Sequence, residues 1–251
     1  MNIAAAKPNN PATTAKRAPG NRYDHVFFSG MALLMLAMVF VGFAPTYYLA
    51  GVFRAPLPSL IIHLHGAAFS CWILLLVTQT SLVSAGRVDI HRRLGMVGFL
   101  LAFLMVILGV LAATDSLVRE FDPGRRDPKF FYIIPLTDML VFATLIVFAF
   151  RARFNPPTHK RLICVATTAL MTAAIARWPL ALFRGNPGIA AMFSYTLLLM
   201  LATYDLWSMR RIHRATLWAG AFLVLVQGAR IPLGQTSAWH AFASWVQSLA
   251  R

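Results

Sequence analysis

Residues 94–114 read LGMVGFLLAFLMVILGVLAAT, and they decide the fold class. His91-Arg92-Arg93 precedes this run and Asp115 follows it, with no charged side chain between. About 20 apolar residues in a helix reach across the ~30 Å hydrocarbon core of a bilayer. Comparable runs recur along the chain, which is 59% hydrophobic, only 12% charged and has a mean hydropathy of +0.66. A soluble domain carries about twice that share of charge. Strict alternation of polar and apolar residues is absent, so a barrel is not indicated. A helix satisfies its own backbone in lipid. The reading is all-α: a polytopic membrane helical bundle.

Seven spans are predicted, near 26–45, 58–84, 94–114, 131–150, 160–183, 189–208 and 214–235. Residues 1–24 read as a disordered basic tail, 25–235 as the transmembrane domain, and 236–251 as an amphipathic interfacial helix. Counting Lys and Arg on alternate sides sets the direction. One side holds Lys7, Lys16, Arg17, Arg22, Arg87, Arg92, Arg93, Arg151, Arg153, Lys160, Arg161, Arg210, Arg211 and Arg214. The other holds Arg54, Arg119, Arg125, Arg126, Lys129, Arg184 and Arg251. The richer side belongs in the cytoplasm, which gives an N-in, C-out path across a bacterial inner membrane. The net charge of +15 lies in clusters between apolar runs, as topology demands, and does not point to nucleic acid. Cys71 and Cys164 fall in different apolar runs and read as small hydrophobes, not as a disulfide or metal pair.

A partial repeat links three spans. His25 precedes Pro45 by twenty residues, His159 precedes Pro179 by twenty, and His213 precedes Pro232 by nineteen. The last two share Ala-Arg-x-Pro-Leu, at residues 176–180 and 229–233.

Ionisable groups inside a span are costly unless paired or hydrated, so each is a functional candidate. On the alternating path His63, Asp138, Arg177, Arg230 and Tyr195 converge on one layer ~5–10 Å below the outer surface. At about 100° per residue, His63 shares a stripe with Gly66, Ser70, Val77 and Ser81 and is expected to face inward, with His65 nearly opposite. Arg177 aligns with Ala166, Ala173 and Ala174, and Arg230 with Gln227 and Gly220, so both arginines are expected inside. Two guanidiniums, an imidazole and a carboxylate suit a small anionic or quinone-like ligand, because each guanidinium donates in a fixed fork.

Two further readings stand beside that pocket. His63-Leu64-His65-Gly66 and His91-Arg92-Arg93-Leu94-Gly95 resemble helix entrances of cytochrome b561-like and ferric-reductase-like proteins, and of bacterial multi-pass proteins in uncharacterised families. The resemblance covers spans two and three. It implies b-type haem and transmembrane electron transfer, with His63, His91, His159 and His213 as the available ligands. The third reading is a ligand-free accessory subunit, in which the polar layer is an internal salt-bridge network. No H-E-x-x-H, G-x-S-x-G, P-loop or Cys-x-x-Cys-His is present, so the sequence supports no standard hydrolase or NTPase site and no covalent c-type haem, and whether the chain is an enzyme stays open.

Overall fold

The computed structural model describes residues 23–56, 58–119, 127–183 and 186–250. The basic segment 1–22 and the cations Arg125, Arg126, Arg184 and Arg251 lie outside the described residues. The architecture is all-helical. Among the described residues the seven long helices are α1 (Asp24–Phe43), α3 (Leu60–Ser84), α4 (Val88–Val118), α5 (Pro128–Arg151), α6 (Pro156–Ile175), α7 (Pro187–Met209) and α8 (Arg214–Gly234). A π-helical turn, Ala44–Tyr48, and the short α2 (Ala50–Phe53) follow α1, and α9 (Ser237–Ala250) closes the chain.

Local chemistry sets where these helices start. Proline occupies the first turn of α5, α6 and α7, where its missing N–H costs no hydrogen bond. Asp127 caps α5 by accepting from Lys129 N at 2.9 Å, and Asn155 accepts from Thr158 N at the start of α6. His213 caps α8, its Nδ1 accepting from Ala215 N at 3.0 Å. An accepting Nδ1 carries no proton. Consistently, burial together with the Arg161 guanidinium holds His213 below the ordinary histidine range.

Side-chain contacts fix the helix directions. Ser29, near the start of α1, meets Ser84 at the end of α3. Asp24 meets Lys160, near the start of α6, and Tyr204, near the end of α7. At the other end, Ser59 before α3 donates to Asp115 late in α4. There α9 lies over α4 and α5: Trp239 donates to the Lys129 carbonyl at 2.7 Å, Gln247 donates to that of Leu117, and Ala243 is fully buried. Consecutive long helices therefore alternate in direction, leaving an N-terminal end and an α9 end. The tail, expected as an amphipathic interfacial helix, is helical over Ser237–Ala250. One face packs on the bundle, while Phe242, Trp245 and Leu249 stay exposed.

Among the described residues, six helices are long and apolar enough to cross a membrane: α1 with its π-turn, α3, α4, α5, α7 and α8. The twenty-residue α6 is not among them. It sits at the centre, touching α1, α5, α7 and α8, and thirteen of its twenty residues are buried. A helix enclosed by protein does not need a lipid-like surface, so α6 carries Thr167, Thr168 and Thr172 in its core-facing positions. Thr167 accepts from Trp72 Nε1 of α3 at 3.2 Å. By contrast α4 leaves Met96, Leu100, Phe103 and Leu111 exposed, an apolar face suited to acyl chains.

Candidate functional site

Two buried ionic clusters lie at opposite ends of the bundle. At the α9 end, Asp138 of α5 faces Arg230 of α8, whose Nη1 donates to Asp138 Oδ1 at 2.9 Å. Gln227, one helical turn before Arg230, donates through Nε2 to the same oxygen at 3.2 Å and to Thr172 Oγ1 of α6 at 3.4 Å. All three are enclosed, at 6%, 3% and 2% exposure for Asp138, Arg230 and Gln227. Asp138 Oδ1 as an acceptor settles which end of the Gln227 amide points toward it. Among the described residues, the opposite end, Gln227 Oε1, has no hydrogen-bond partner, and neither does Arg230 Nη2.

These two orphaned atoms belong to residues that line a cavity of about 860 Å³. Its walls come from α5, α7 and α8 and include Phe130, Ile134, Met192, Tyr195, Val224 and Ile231. Asp127, Asn186, Gln235 and His240 form its rim at the helix ends. The rim is tied down by His240, whose Nδ1 lies 3.2 Å from Asp127 Oδ2 and whose Nε2 lies 3.1 Å from the Gly234 carbonyl. Largely apolar walls with a few polar groups are the usual construction of a ligand site, and the volume is in the usual range.

The other residues expected in this layer are elsewhere. Arg177 does not enter the cavity. Pro179 lacks an N–H, and its ring crowds the carbonyl of Ile175, so α6 stops there and the helical phase used to place Arg177 no longer applies. Arg177 is exposed, donates to its own Ala173 carbonyl at 2.7 Å and lies over the Phe43 ring. Pro232, in contrast, is accommodated inside α8, so Arg230 keeps its helical position. The shared Ala-Arg-x-Pro-Leu thus does not place its two arginines in equivalent surroundings.

His63 also departs from expectation. Its stripe faces the π-turn after α1: Gly66 packs on the Tyr47 ring and Ser70 meets Tyr48 Oη at 2.7 Å. His63 lies at the edge of that contact, exposed, with its ring 5.3 Å from that of Tyr47. His65 is the more enclosed of the two. Its ring lies tilted against Phe69 with 4.2 Å between ring centroids, and among the described residues its buried Nδ1 has no hydrogen-bond partner.

The histidines considered as haem ligands are divided between the two ends. His63 is 21 residues from the end of α3, ~31 Å along the helix from the end that holds the others. His159 Nδ1 is engaged by the Ala149 carbonyl at 2.9 Å, and His213 Nδ1 is used as a helix cap. With the Gln79 amide in its better-satisfied orientation, its NH₂ donates to His91 Nδ1 at 2.6 Å. Cys71 and Cys164 are both free.

At the N-terminal end lies a cluster that sequence reasoning missed. Arg161 of α6 donates through Nε to Asp205 Oδ1 of α7 at 2.8 Å, and through Nη2 to the same oxygen. Its Nη1 donates to the Pro157 carbonyl at 2.7 Å. Asp205 Oδ2 accepts from Thr216 Oγ1 at 2.6 Å and from His213 N at 3.1 Å. Arg161 and Asp205 are 2% and 0% exposed. An aspartate inside the apolar run of span six was the available signal, with a cation at the matching depth of span five.

These features define a multi-helix protein whose six apolar helices fit a multi-pass membrane protein. In comparison with known proteins, no family model, no curated protein and no solved structure matches the chain.

Proposed function

We propose that this is a seven-span protein of a bacterial inner membrane, N-terminus inside, whose pocket at the outer face binds or transports a small anionic or quinone-like ligand. The single observation that carries the reading is the pair of buried, unpartnered atoms, Arg230 Nη2 and Gln227 Oε1, contributed by residues of a largely apolar cavity. Leaving such groups unpaired costs about 1–3 kcal/mol each, more where charged. A ligand that supplies the missing hydrogen bonds recovers that cost. The alternating helix directions, together with the positive-inside bias of fourteen cations against seven, support the orientation. Counting α6 as the fifth span gives the odd number of crossings that this orientation requires.

The test is saturable binding of a decyl-substituted benzoquinone and of dodecanoate to the full chain in lipid nanodiscs. At least one of them is expected to bind. Arg230→Ala is expected to weaken that binding by about tenfold or more, and Arg177→Ala or Arg153→Ala by less than about twofold. Equal losses in all three variants, or no saturable binding by either probe, overturn the proposal.

A further inference from the structure

The hydrogen-bonding sense of the two orphaned atoms narrows the ligand further, on the premise that the pocket just described is a ligand site. Arg230 Nη2 offers only protons, whereas Gln227 Oε1 offers only lone pairs. A head group that satisfies both must therefore present an oxygen acceptor and a hydroxyl donor. Gln227 cannot reverse its amide to suit an acceptor-only ligand, because its Nε2 is held by Asp138 Oδ1 and Thr172 Oγ1.

Charge points the same way. The Arg230 cation is already matched by the Asp138 carboxylate at 2.9 Å, so the base of the cavity is formally neutral. A phosphate or carboxylate entering it would find one unpaired donor, on an arginine already matched by a carboxylate, and an unpaired amide oxygen that repels it. An uncompensated charge in such an enclosure is costly. Of neutral heads with both functions, a carboxylic acid loses its proton near pH 4, whereas a phenolic hydroxyl keeps its proton until about pH 10. Phe130, Tyr195 and Met192 on the walls suit an aromatic ring, and the remaining aliphatic lining suits an apolar tail.

We infer that the cavity is a site for a lipid-soluble phenol of the quinol type, bound in preference to the corresponding oxidised quinone and to anionic amphiphiles. The quinone carries acceptors alone. It satisfies Arg230 Nη2 and leaves Gln227 Oε1 facing another acceptor.

A ligand series against the unmodified chain in nanodiscs tests this: decylhydroquinone, its dimethyl ether, decylbenzoquinone and dodecyl phosphate. The hydroquinone is expected to bind about tenfold more tightly than each of the others, since only it gives both atoms a partner. In Gln227→Met the advantage over the dimethyl ether is expected to vanish while quinone binding remains. Tighter binding of quinone, ether or phosphate than of hydroquinone overturns the inference and leaves the pocket itself standing. Failure of all four to bind overturns the inference, and failure of dodecanoate as well removes the pocket. A hydroquinone advantage that survives in a folded Gln227→Met also overturns it, and if that variant does not fold, the series on the unmodified chain decides alone.

Discussion

The two ends of this bundle use the same chemistry to opposite effect. At the N-terminal end, Arg161 and Asp205 have hydrogen-bond partners from α6, α7 and α8, and neither has an orphaned atom. At the α9 end, Asp138 and Arg230 also form a buried pair, yet among the described residues Arg230 and its neighbour Gln227 each keep an atom without a partner. A closed network pins helices together. An open one beside a cavity offers its unused valences to something else. A buried Arg–Asp pair is thus not in itself a sign of a site; what separates the two is whether the hydrogen-bond inventory closes.

The sharpest way to break that comparison is to remove one partner from each pair. Asp205→Ala strands the Arg161 cation and frees Thr216 and the His213 amide, so it is expected to destabilise the fold by about 3–5 kcal/mol. Asp138→Ala is expected to cost less, because Arg230 borders a cavity that admits water. Thermal unfolding in detergent ranks the two, and a larger loss for Asp138→Ala would contradict the division into pin and site.

Packing supplies a smaller effect. A Cβ on Gly42 would sit against backbone atoms of Ala174, so Gly42→Val is expected to push α1 from α6 and cost about 1–3 kcal/mol. At Gly109 the atom met first is Met139 Sδ, the far part of a flexible side chain. Gly109→Ala should therefore cost clearly less in the same unfolding measurement. Equal costs would show that α1 is not locked to α6 as closely as its backbone contact implies.

The smallest effect belongs to Arg177. Exposed, bonded to the Ala173 carbonyl and lying over the face of Phe43, it is expected to change stability by no more than about 0.5 kcal/mol on replacement by Ala. A loss near that of Asp205→Ala would restore the two-arginine site that the sequence suggested.

Much of the fold was legible because span-length apolar runs and their charged borders survive folding unchanged. Each predicted span overlaps one long helix, although the fifth, 160–183, runs past the end of α6 at Ile175 and only six of these helices are apolar enough to cross a membrane, and the tail helix occupies Ser237–Ala250. The site was legible only where helical phase holds. Gln227, Arg230 and Tyr195 line one cavity, and Asp138 bonds Gln227 and Arg230 behind it, because each lies within a continuous helix. Arg177 fails because its helix ends before it. His63 fails because a stripe of small residues identifies a packing face without saying which neighbour it packs on, and here that neighbour is a π-turn bearing two tyrosines. Thr172 carried no signal at all, since threonine in an apolar helix usually bonds to its own backbone. Asp205 carried a plain one, an acid in an apolar run, and Arg161 was hidden by being counted among the loop cations.

The account rests on the cavity and the closed ion pair lying at opposite membrane faces, with the cavity toward the outside. In a background with Cys71→Ser and Cys164→Ala, Asn186→Cys marks the cavity rim and Arg153→Cys the other end. A membrane-impermeant maleimide applied to the outside of intact cells is predicted to label Asn186→Cys and to leave Arg153→Cys unmodified until the membrane is opened. Labelling of Arg153→Cys with protection of Asn186→Cys would contradict the account.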